Sequence, residues 1–173
     1  VQTCALPILF EYFSANVVEK AYPARNIKLN KICQAPSGES AESDVVAELA
    51  GEILFIECKG HQPSGCVVHE EVKRWLQVRV PILRKYALAH PDWKTQKLRF
   101  ELWTTGKFLD ESLELLNKAK NDTTKYDINF LDAEGVMNEV KKCSDKEILS
   151  TYKKCFLDHP LKKLEQEWAP APF

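Results

Sequence analysis

Three charged residues have types and spacing that suit hydrolytic chemistry at the end of a hydrophobic strand. Glu57 and Lys59 end the apolar run Ile53–Ile56, and Asp44 lies thirteen positions before Glu57. Burying an ionised carboxylate is costly unless a cation or a hydrogen-bond donor compensates it. The two acids and the lysine therefore indicate either a functional cluster or an ion pair between strands.

The spacing of these residues allows a β-hairpin to bring them to one face. Ala50-Gly51 has the composition of a tight turn between two strands. With the turn centred there, facing residues have numbers that add to 101, so Asp44 would lie opposite Glu57. Lys59 would project to the same face as Glu57, because side chains two residues apart in a strand share a face. The hairpin thus predicts one charged patch, open to solvent at an edge or cleft of the sheet.

Such a patch would suit a divalent metal ion. Two facing carboxylates repel each other, which raises the pKa of one of them unless a cation is present. Mg²⁺ prefers carboxylate oxygens and retains several waters. Lys59 would then orient an attacking hydroxide or neutralise a phosphate, as metal-assisted phosphodiester hydrolysis requires. A solvated cross-strand salt bridge is the structural alternative, and surface pairs of that kind contribute little to stability.

Asp44, followed thirteen positions later by Glu57-Cys58-Lys59, resembles the motif of the PD-(D/E)xK nuclease superfamily. The chain is most similar in this respect to Mrr-type restriction endonucleases and archaeal Holliday-junction resolvases. The resemblance implies that Asp44, Glu57 and the main-chain carbonyl of Cys58 bind Mg²⁺, with Mn²⁺ as a substitute, and that Lys59 is the catalytic lysine. Glu11 matches an acidic residue that the family carries near the active site, so it joins the implied catalytic residues.

Hydrophobic periodicity predicts an order of helices and strands that suits a mixed α/β sheet. Pro81 should kink or split the second helix, and Asp110 is the expected N-cap of the third. In the family that the chain resembles, this order builds a restriction endonuclease-like core, a mixed β-sheet with a β-meander flanked by helices. The predicted helices are 9–20, 68–90, 110–120, 133–142 and 145–157, and the predicted strands are 26–33, 44–49, 52–59, 97–104 and 126–131.

The chain is interpreted as one nuclease domain with two short flanking segments. Residues 1–8 resemble one translated reading frame of a sequencing adapter, so they are interpreted as a non-native N-terminal segment. Residues 9–142 are the expected restriction endonuclease-like domain, and residues 143–173 the expected C-terminal helix and tail. A recognition domain or partner missing from the N-terminal side is a further expectation, since it would supply specificity.

Composition and charge narrow the expected location and partners. The 173-residue chain has a net charge of -1, so any DNA-binding surface must be local. Its six cysteines are scattered, which favours reduced thiols in a cytoplasmic protein. No apolar run approaches the roughly 20 residues of a membrane span, so no membrane association is expected. DNA is the expected partner, and cleavage of both strands by a domain with one site implies a homodimer.

Basic residues on the second predicted helix, together with a loop histidine, are the expected contacts to nucleic acid. A stripe of cations away from the apolar face of this helix would hold DNA phosphates. A solvated helix face is the alternative, because Glu70 and Glu71 reduce the positive charge of this stripe. The expected contacts are Lys73, Arg74, Lys85 and His61, and Arg79 and Arg84 belong to the same stripe.

A second constellation of metal ligands overlaps the first. Cys58, His61, Cys66 and His69 lie within twelve residues and would suit zinc in a zinc-stabilised interaction domain. Against this interpretation, the predicted strand turns Cys58 towards the core. The sequence therefore predicts a Mg²⁺-dependent DNA endonuclease of a restriction, defence or repair system. A catalytically inactive nucleic-acid-binding or assembly module of the same fold is the main alternative.

Overall fold

The computed structural model describes residues 5–61, 65–143, 145–153 and 156. The strands are β1 (Asn26–Gln34), β2 (Ser40–Leu49), β3 (Glu52–Lys59), β4 (Cys66–Val67), β5 (Lys97–Thr104), β6 (Lys107–Phe108) and β7 (Asp127–Leu131). The helices are α1 (Ala5–Ala21), α2 (His69–Arg74), α3 (Val80–Ala89), α4 (Asp110–Asp122), α5 (Ala133–Lys142) and α6 (Lys146–Tyr152), and a π-helical turn (Trp75–Arg79) joins α2 to α3.

Five of the strands form one mixed sheet in the order β1-β2-β3-β5-β7. The first three form an antiparallel meander, and β3, β5 and β7 run parallel to one another. Parallel neighbours need a crossover connection, and helices supply it in both cases. A helix, a meander, a helical crossover and a further strand are the predicted order. The predicted mixed α/β sheet, with a β-meander and flanking helices, is therefore confirmed.

Helices cover the sheet on both faces, which explains the unbroken apolar run in β3. Ile53 and Phe55 pack in a cluster with α2, α3 and α4, whereas Leu54 and Ile56 pack in a second cluster with α1, α5 and α6. A strand buried on both faces does not alternate between apolar and polar residues. Packed helices therefore enclose β3 up to Glu57, where its charged end begins.

Strand β2 is longer than predicted. It begins at Ser40 instead of Asp44, and residues 40–43 pair with the end of β1. These four residues alternate between exposed and buried as a strand requires, although the two serines among them are typical of a loop. The predicted loop over residues 34–43 is therefore wrong in its second half, and Asp44 lies in the middle of a strand.

The predicted helix 68–90 is divided by the π-helical turn. Pro81, in the first turn of α3, has no N–H to donate to the carbonyl of Gln77, which favours a wider turn at this point. The N–H of Val80 donates to the carbonyl of Trp75, five residues earlier. The expected interruption is confirmed, and it takes the form of a π-helical turn just before the proline.

Two details in the middle of the chain differ from the prediction. β4 and β6 are two-residue strands that pair in parallel as a separate small sheet, too short to produce a periodic pattern. Leu109 occupies the N-cap position of α4, without a side-chain hydrogen bond, so the prediction of Asp110 as N-cap is wrong. Asp110 instead places negative charge in the first turn, where the helix dipole favours it.

Both ends of the described chain pack on the same face of the sheet. α1 begins at Ala5, inside the segment 1–8 whose non-native origin stays a prediction. Tyr152 of α6 is buried, and its ring centroid lies 5.3 Å from that of Phe13. The predicted C-terminal tail lies outside the described residues. No helix within the described ranges has the length and apolar character needed to cross a lipid bilayer.

Candidate active site

The hairpin places Asp44 and Glu57 on the same face of the sheet. All five observed pairs between β2 and β3 have residue numbers that add to 101, and the last pair joins Val45 to Ile56. The predicted register is therefore confirmed. Asp44 and Glu57 are the next positions along their strands, and Val45 and Ile56 both belong to the cluster with α1. Because side chains alternate along a strand, the two acids share the opposite face.

The pairing of β2 with β3 opens at Asp44. The carboxylate of Asp44 accepts a hydrogen bond of 2.6 Å from the backbone N–H of Cys58, where a ladder bond between strands would otherwise continue. In a strand, the N–H and C=O of one residue point to the same side. The carbonyl of Cys58 therefore points towards Asp44 as well. This opening between β2 and β3, called the fork from here on, brings together the Asp44 carboxylate and the Cys58 carbonyl. The family resemblance implies that both are metal ligands.

Glu57 is buried and paired with two cations. Its side chain is 3% exposed, and its Oε1 lies 2.8 Å from Nζ of Lys59. The guanidinium of Arg79 contacts the same oxygen. A patch open to solvent was expected, and for Glu57 that expectation is wrong. Arg79 was assigned to an exposed stripe, but it turns towards the sheet and covers the acid.

The surroundings of Asp44 contain too little positive charge to balance the negative charge near its carboxyl. Burial, and then the neighbouring Glu57, raises the pKa of Asp44 from 3.8 to about 7, although the Cys58 N–H opposes the increase. A hard divalent cation beside Asp44 would remove this penalty. Carboxylate and carbonyl oxygens are the donors that Mg²⁺ prefers, so the residues of the fork fit that ion.

Glu11 of α1 lies close enough to Asp44 and Glu57 to interact with them electrostatically, although α1 packs on the other face of the sheet. Burial raises the pKa of its carboxyl, a hydrogen bond from the Asn30 side chain opposes this, and Glu42 and Glu57 add to the increase. The pairing of β1 with β2 skips Asn30 and Asp44, although the positions on either side of them are paired. Asn30 has a φ of 49°, a left-handed conformation that asparagine adopts more readily than most residues. This local distortion of β1 thus accompanies the third acid of the site.

Two threonines, the last residue of β5 and the residue after it, fix the backbone of Lys59. The hydroxyl of Thr104 donates to the Lys59 carbonyl at 2.9 Å, and the N–H of Thr105 donates to the same carbonyl at 3.3 Å. Both threonines are buried. Sequence reasoning missed them, because only the parallel pairing of β3 with β5 brings them to this point. The side chain of Lys59 therefore extends from a rigid backbone.

The alternative zinc constellation is not assembled. Cys58 is buried in the cluster with α1, on the face away from Glu57, as predicted. His69 instead begins α2, which packs on the other face of the sheet. Within the ranges that the structure describes, no three His, Cys, Asp or Glu side chains are grouped as a metal-binding cluster. The Mg²⁺ ligands implied for the fork are two carboxylates and one main-chain oxygen, which is a different donor set.

The residues expected to contact nucleic acid differ in their surroundings. Lys73 and Arg74 are exposed on α2. Lys85 is also exposed, but its ammonium lies 2.8 Å from the carboxylate of Glu39. Burial lowers the pKa of His61, so its imidazole is neutral at pH 7 and attracts phosphate less than a charged one would. Lys73 and Arg74 are therefore the best placed of the four.

Glu101 provides a comparison for Glu57, because it is another buried glutamate paired with an arginine. Its side chain is 7% exposed, its carboxylate lies 3.1 Å from Nε of Arg99, and it accepts a hydrogen bond of 2.6 Å from the indole of Trp103. It shares the face of Trp103, opposite to that of Glu57. Pairing with arginine therefore does not distinguish Glu57, whereas the face that it shares with Asp44 does.

No protein-family model and no curated protein matches the chain. Among solved structures it is similar to AF1548, a protein of unknown function, with a TM-score of 0.57, 21% identity, and coverage of 84% of this chain and 75% of that chain. The small subunit of a heterodimeric restriction endonuclease is similar with a TM-score of 0.48, 14% identity, and coverage of 93% and 78%. A repair endonuclease from Pyrococcus abyssi is similar with a TM-score of 0.41, 14% identity, and coverage of 75% and 46%. The similarity to AF1548 concerns the fold.

The raised pKa of Asp44 predicts that this residue destabilises the metal-free protein at neutral pH and above. Between about pH 4 and about pH 7 the folded protein keeps a proton that the unfolded chain releases, so stability falls as pH rises. Asp44→Asn should therefore raise the melting temperature in EDTA, more at about pH 8 than at about pH 5. Thermal denaturation at both pH values checks this, with the exposed Asp92→Asn as the control. A variant no more stable than wild type at the higher pH would contradict the prediction.

Proposed function

We propose that the chain is a metal-dependent endonuclease that hydrolyses phosphodiester bonds in DNA. The observation that supports this function is the fork between β2 and β3, where Asp44 and Glu57 share a face and Lys59 contacts Glu57. The raised pKa of Asp44 indicates a deficit of positive charge that a metal ion would fill. The resemblance of the same three residues to the PD-(D/E)xK motif supplies the class of reaction.

Asp44, Glu57 and the main-chain carbonyl of Cys58 would hold Mg²⁺ or Mn²⁺. Bound there, the metal would supply an activated water and stabilise negative charge on the phosphate. The protein itself holds the ligands in place, because the Cys58 N–H fixes the Asp44 carboxylate and the pairing of β3 with β5 fixes Cys58. Glu11 would add a further negative charge from α1.

Lys59 would act on the reacting groups. Its ammonium lies 2.8 Å from the buried Glu57 and its side chain is 24% exposed, so it stands between the acid and the solvent. From this position it would orient the attacking water or neutralise charge that develops on the phosphate. Both interactions strengthen in the transition state, so they accelerate the reaction more than they tighten binding.

A catalytically inactive nucleic-acid-binding or assembly module is the second candidate. The two cations on Glu57 favour it, because Lys59 and Arg79 neutralise that acid without a metal. In such a module the cluster would be a partly buried ion-pair network at the end of a strand. For the active enzyme we propose a restriction, defence or repair system of the cytoplasm as the setting, and a homodimer as the form that cleaves both strands.

Plasmid cleavage distinguishes the two candidates. Supercoiled plasmid incubated with the protein should be nicked or linearised in Mg²⁺ and in Mn²⁺, and should stay intact in EDTA. The inactive module predicts intact plasmid under all three conditions, together with retarded DNA in a gel-shift assay. Cleavage that persists in EDTA would contradict the metal requirement of the proposed enzyme.

Arg74 should contribute more to DNA affinity than Lys85. Lys85 would have to leave Glu39 to contact a phosphate, whereas Arg74 is exposed on the surface of α2. Arg74→Gln should weaken binding several-fold at low salt and reduce the slope of log affinity against log salt by about one, while Lys85→Gln changes both less. Gel-shift titrations in Ca²⁺ over a range of salt concentrations measure both quantities. Equal losses in the two variants would contradict the ranking.

A further inference from the structure

The position of Arg79 depends on the π-helical turn. Trp75 and Val80 are both buried, although they are five residues apart. The N–H of Val80 donates to the carbonyl of Trp75, so the two residues lie on the same face of the helix. An ordinary helical turn contains 3.6 residues. The wider turn lets Val80 pack in the core, and Arg79 reaches the end of β3 beside it. Such turns are rare and occur frequently at functional sites.

Arg79 covers the Glu57 oxygen that contacts both cations. Oε1 of Glu57 is contacted by both Arg79 and Lys59, and Glu57 is 3% exposed while Arg79 is 30% exposed. Arg79 therefore stands between a buried acid and the solvent from which DNA would approach. Its long side chain allows the guanidinium to move while its backbone stays in the helix.

A metal ion bound at the fork would conflict with the contact between Arg79 and Glu57. The ion would need an oxygen of Glu57, and a divalent cation repels a guanidinium held at the same carboxylate. A DNA phosphate beside the metal would offer Arg79 a new anion, and the planar guanidinium pairs with phosphate through two parallel hydrogen bonds. The phosphate would thus replace Glu57 as the anion that pairs with Arg79.

We propose that Arg79 is a positioning residue that pairs with Glu57 in the DNA-free protein and transfers to a phosphate of bound DNA, which couples DNA binding to metal binding. The inference rests on the proposed function, because it needs a metal at Glu57. Coupling between two ligands is reciprocal, so DNA should raise metal affinity by the same factor as metal raises DNA affinity. Without DNA, Arg79 should weaken the metal site.

Calorimetric titration of Ca²⁺, in the presence and absence of a short DNA duplex, tests this role without cleavage. Arg79→Gln should bind Ca²⁺ about tenfold more tightly than wild type when DNA is absent, and the tightening caused by DNA should be largely lost. Arg99→Gln is the matched control, because it removes a partly buried arginine that also pairs with a buried glutamate, with Nε of Arg99 lying 3.1 Å from Glu101 on the opposite face of the sheet. The control should behave as wild type in both titrations.

The outcomes separate the role of Arg79 from the proposed function. Wild-type Ca²⁺ affinity and wild-type tightening by DNA in Arg79→Gln would overturn the inference, whereas a gain in metal affinity cannot arise from misfolding. If the glutamine variant does not fold, Arg79→Lys should show less tightening by DNA than wild type, because an ammonium cannot pair with phosphate in the same two-bond geometry; full tightening would again overturn the inference. A wild-type protein that binds no Ca²⁺ and nicks no plasmid would refute the proposed function itself.

Discussion

Replacing Glu57 with glutamine should abolish Mg²⁺-dependent cleavage of plasmid DNA and leave DNA affinity largely unchanged. The amide carries no charge, so the fork loses the acid that shares a face with Asp44, and the affinity of the fork for the metal falls. Because the reaction requires the ion, we expect the rate to decrease by about 10³-fold. DNA affinity should persist because it depends on exposed cations such as Arg74. Plasmid nicking in Mg²⁺ and a gel-shift titration in Ca²⁺ measure the two effects separately.

Glu101→Gln is the matched control for this substitution. Glu101 is 5% exposed and paired with an arginine, as Glu57 is, but it lies on the opposite face of the sheet. Its replacement should lower the melting temperature and retain cleavage. Glu57→Gln also leaves Lys59 and Arg79 without their anion, so the melting temperatures of both variants belong in the comparison. Undiminished cleavage by folded Glu57→Gln would falsify the assignment of Glu57 as a metal ligand.

Replacing Lys59 with alanine should reduce the cleavage rate by about 10²- to 10³-fold without removing the metal. The ammonium would act on the water or on the developing phosphate charge, which is a transition-state interaction. Glu57 keeps Arg79 as a partner in this variant, so the buried acid is not left without a cation. Single-turnover cleavage at saturating Mg²⁺ measures the rate, and a Mn²⁺ titration measures metal affinity, which should be equal to or greater than that of wild type.

Lys97→Ala controls for the general loss of a lysine from the sheet. Lys97 lies at the other end of β5, is 58% exposed, and pairs with Asp127 at 2.6 Å. Its replacement should leave the cleavage rate unchanged. A wild-type rate in Lys59→Ala would remove Lys59 from the reaction. Loss of Mn²⁺ binding in the same variant would instead assign Lys59 a structural role at the metal site.

The parts of the fold and site that depend on local sequence were predictable. The strands β3 and β5 have the predicted bounds 52–59 and 97–104, because β3 contains an unbroken apolar run and β5 alternates apolar residues with charged ones. The register of the hairpin follows from a turn at Ala50-Gly51, and Gly51 has the positive φ of 82° that such a turn favours. The shared face of Asp44 and Glu57 follows from that register.

The parts that depend on distant packing were not predictable. Arg79 reaches Glu57 because a π-helical turn changes which residues of the helix face the sheet, and helical periodicity assumes that no such turn exists. Pro81 gave a signal of an interruption, but not of its type. The buried state of Glu57 also depends on Arg79 and Lys59, so the local pattern could indicate a charged patch without showing that it is closed.

Mn²⁺ binding followed by electron paramagnetic resonance, in the presence of a short DNA duplex, measures most directly whether Asp44 and Glu57 share one divalent cation. Wild type should bind about one Mn²⁺ ion per chain in the fork, as a one-metal site of this type requires. Asp44→Asn and Glu57→Gln should each lose that ion, whereas Glu101→Gln should bind it as wild type does. Wild-type Mn²⁺ binding by both fork variants would contradict the assignment of this site.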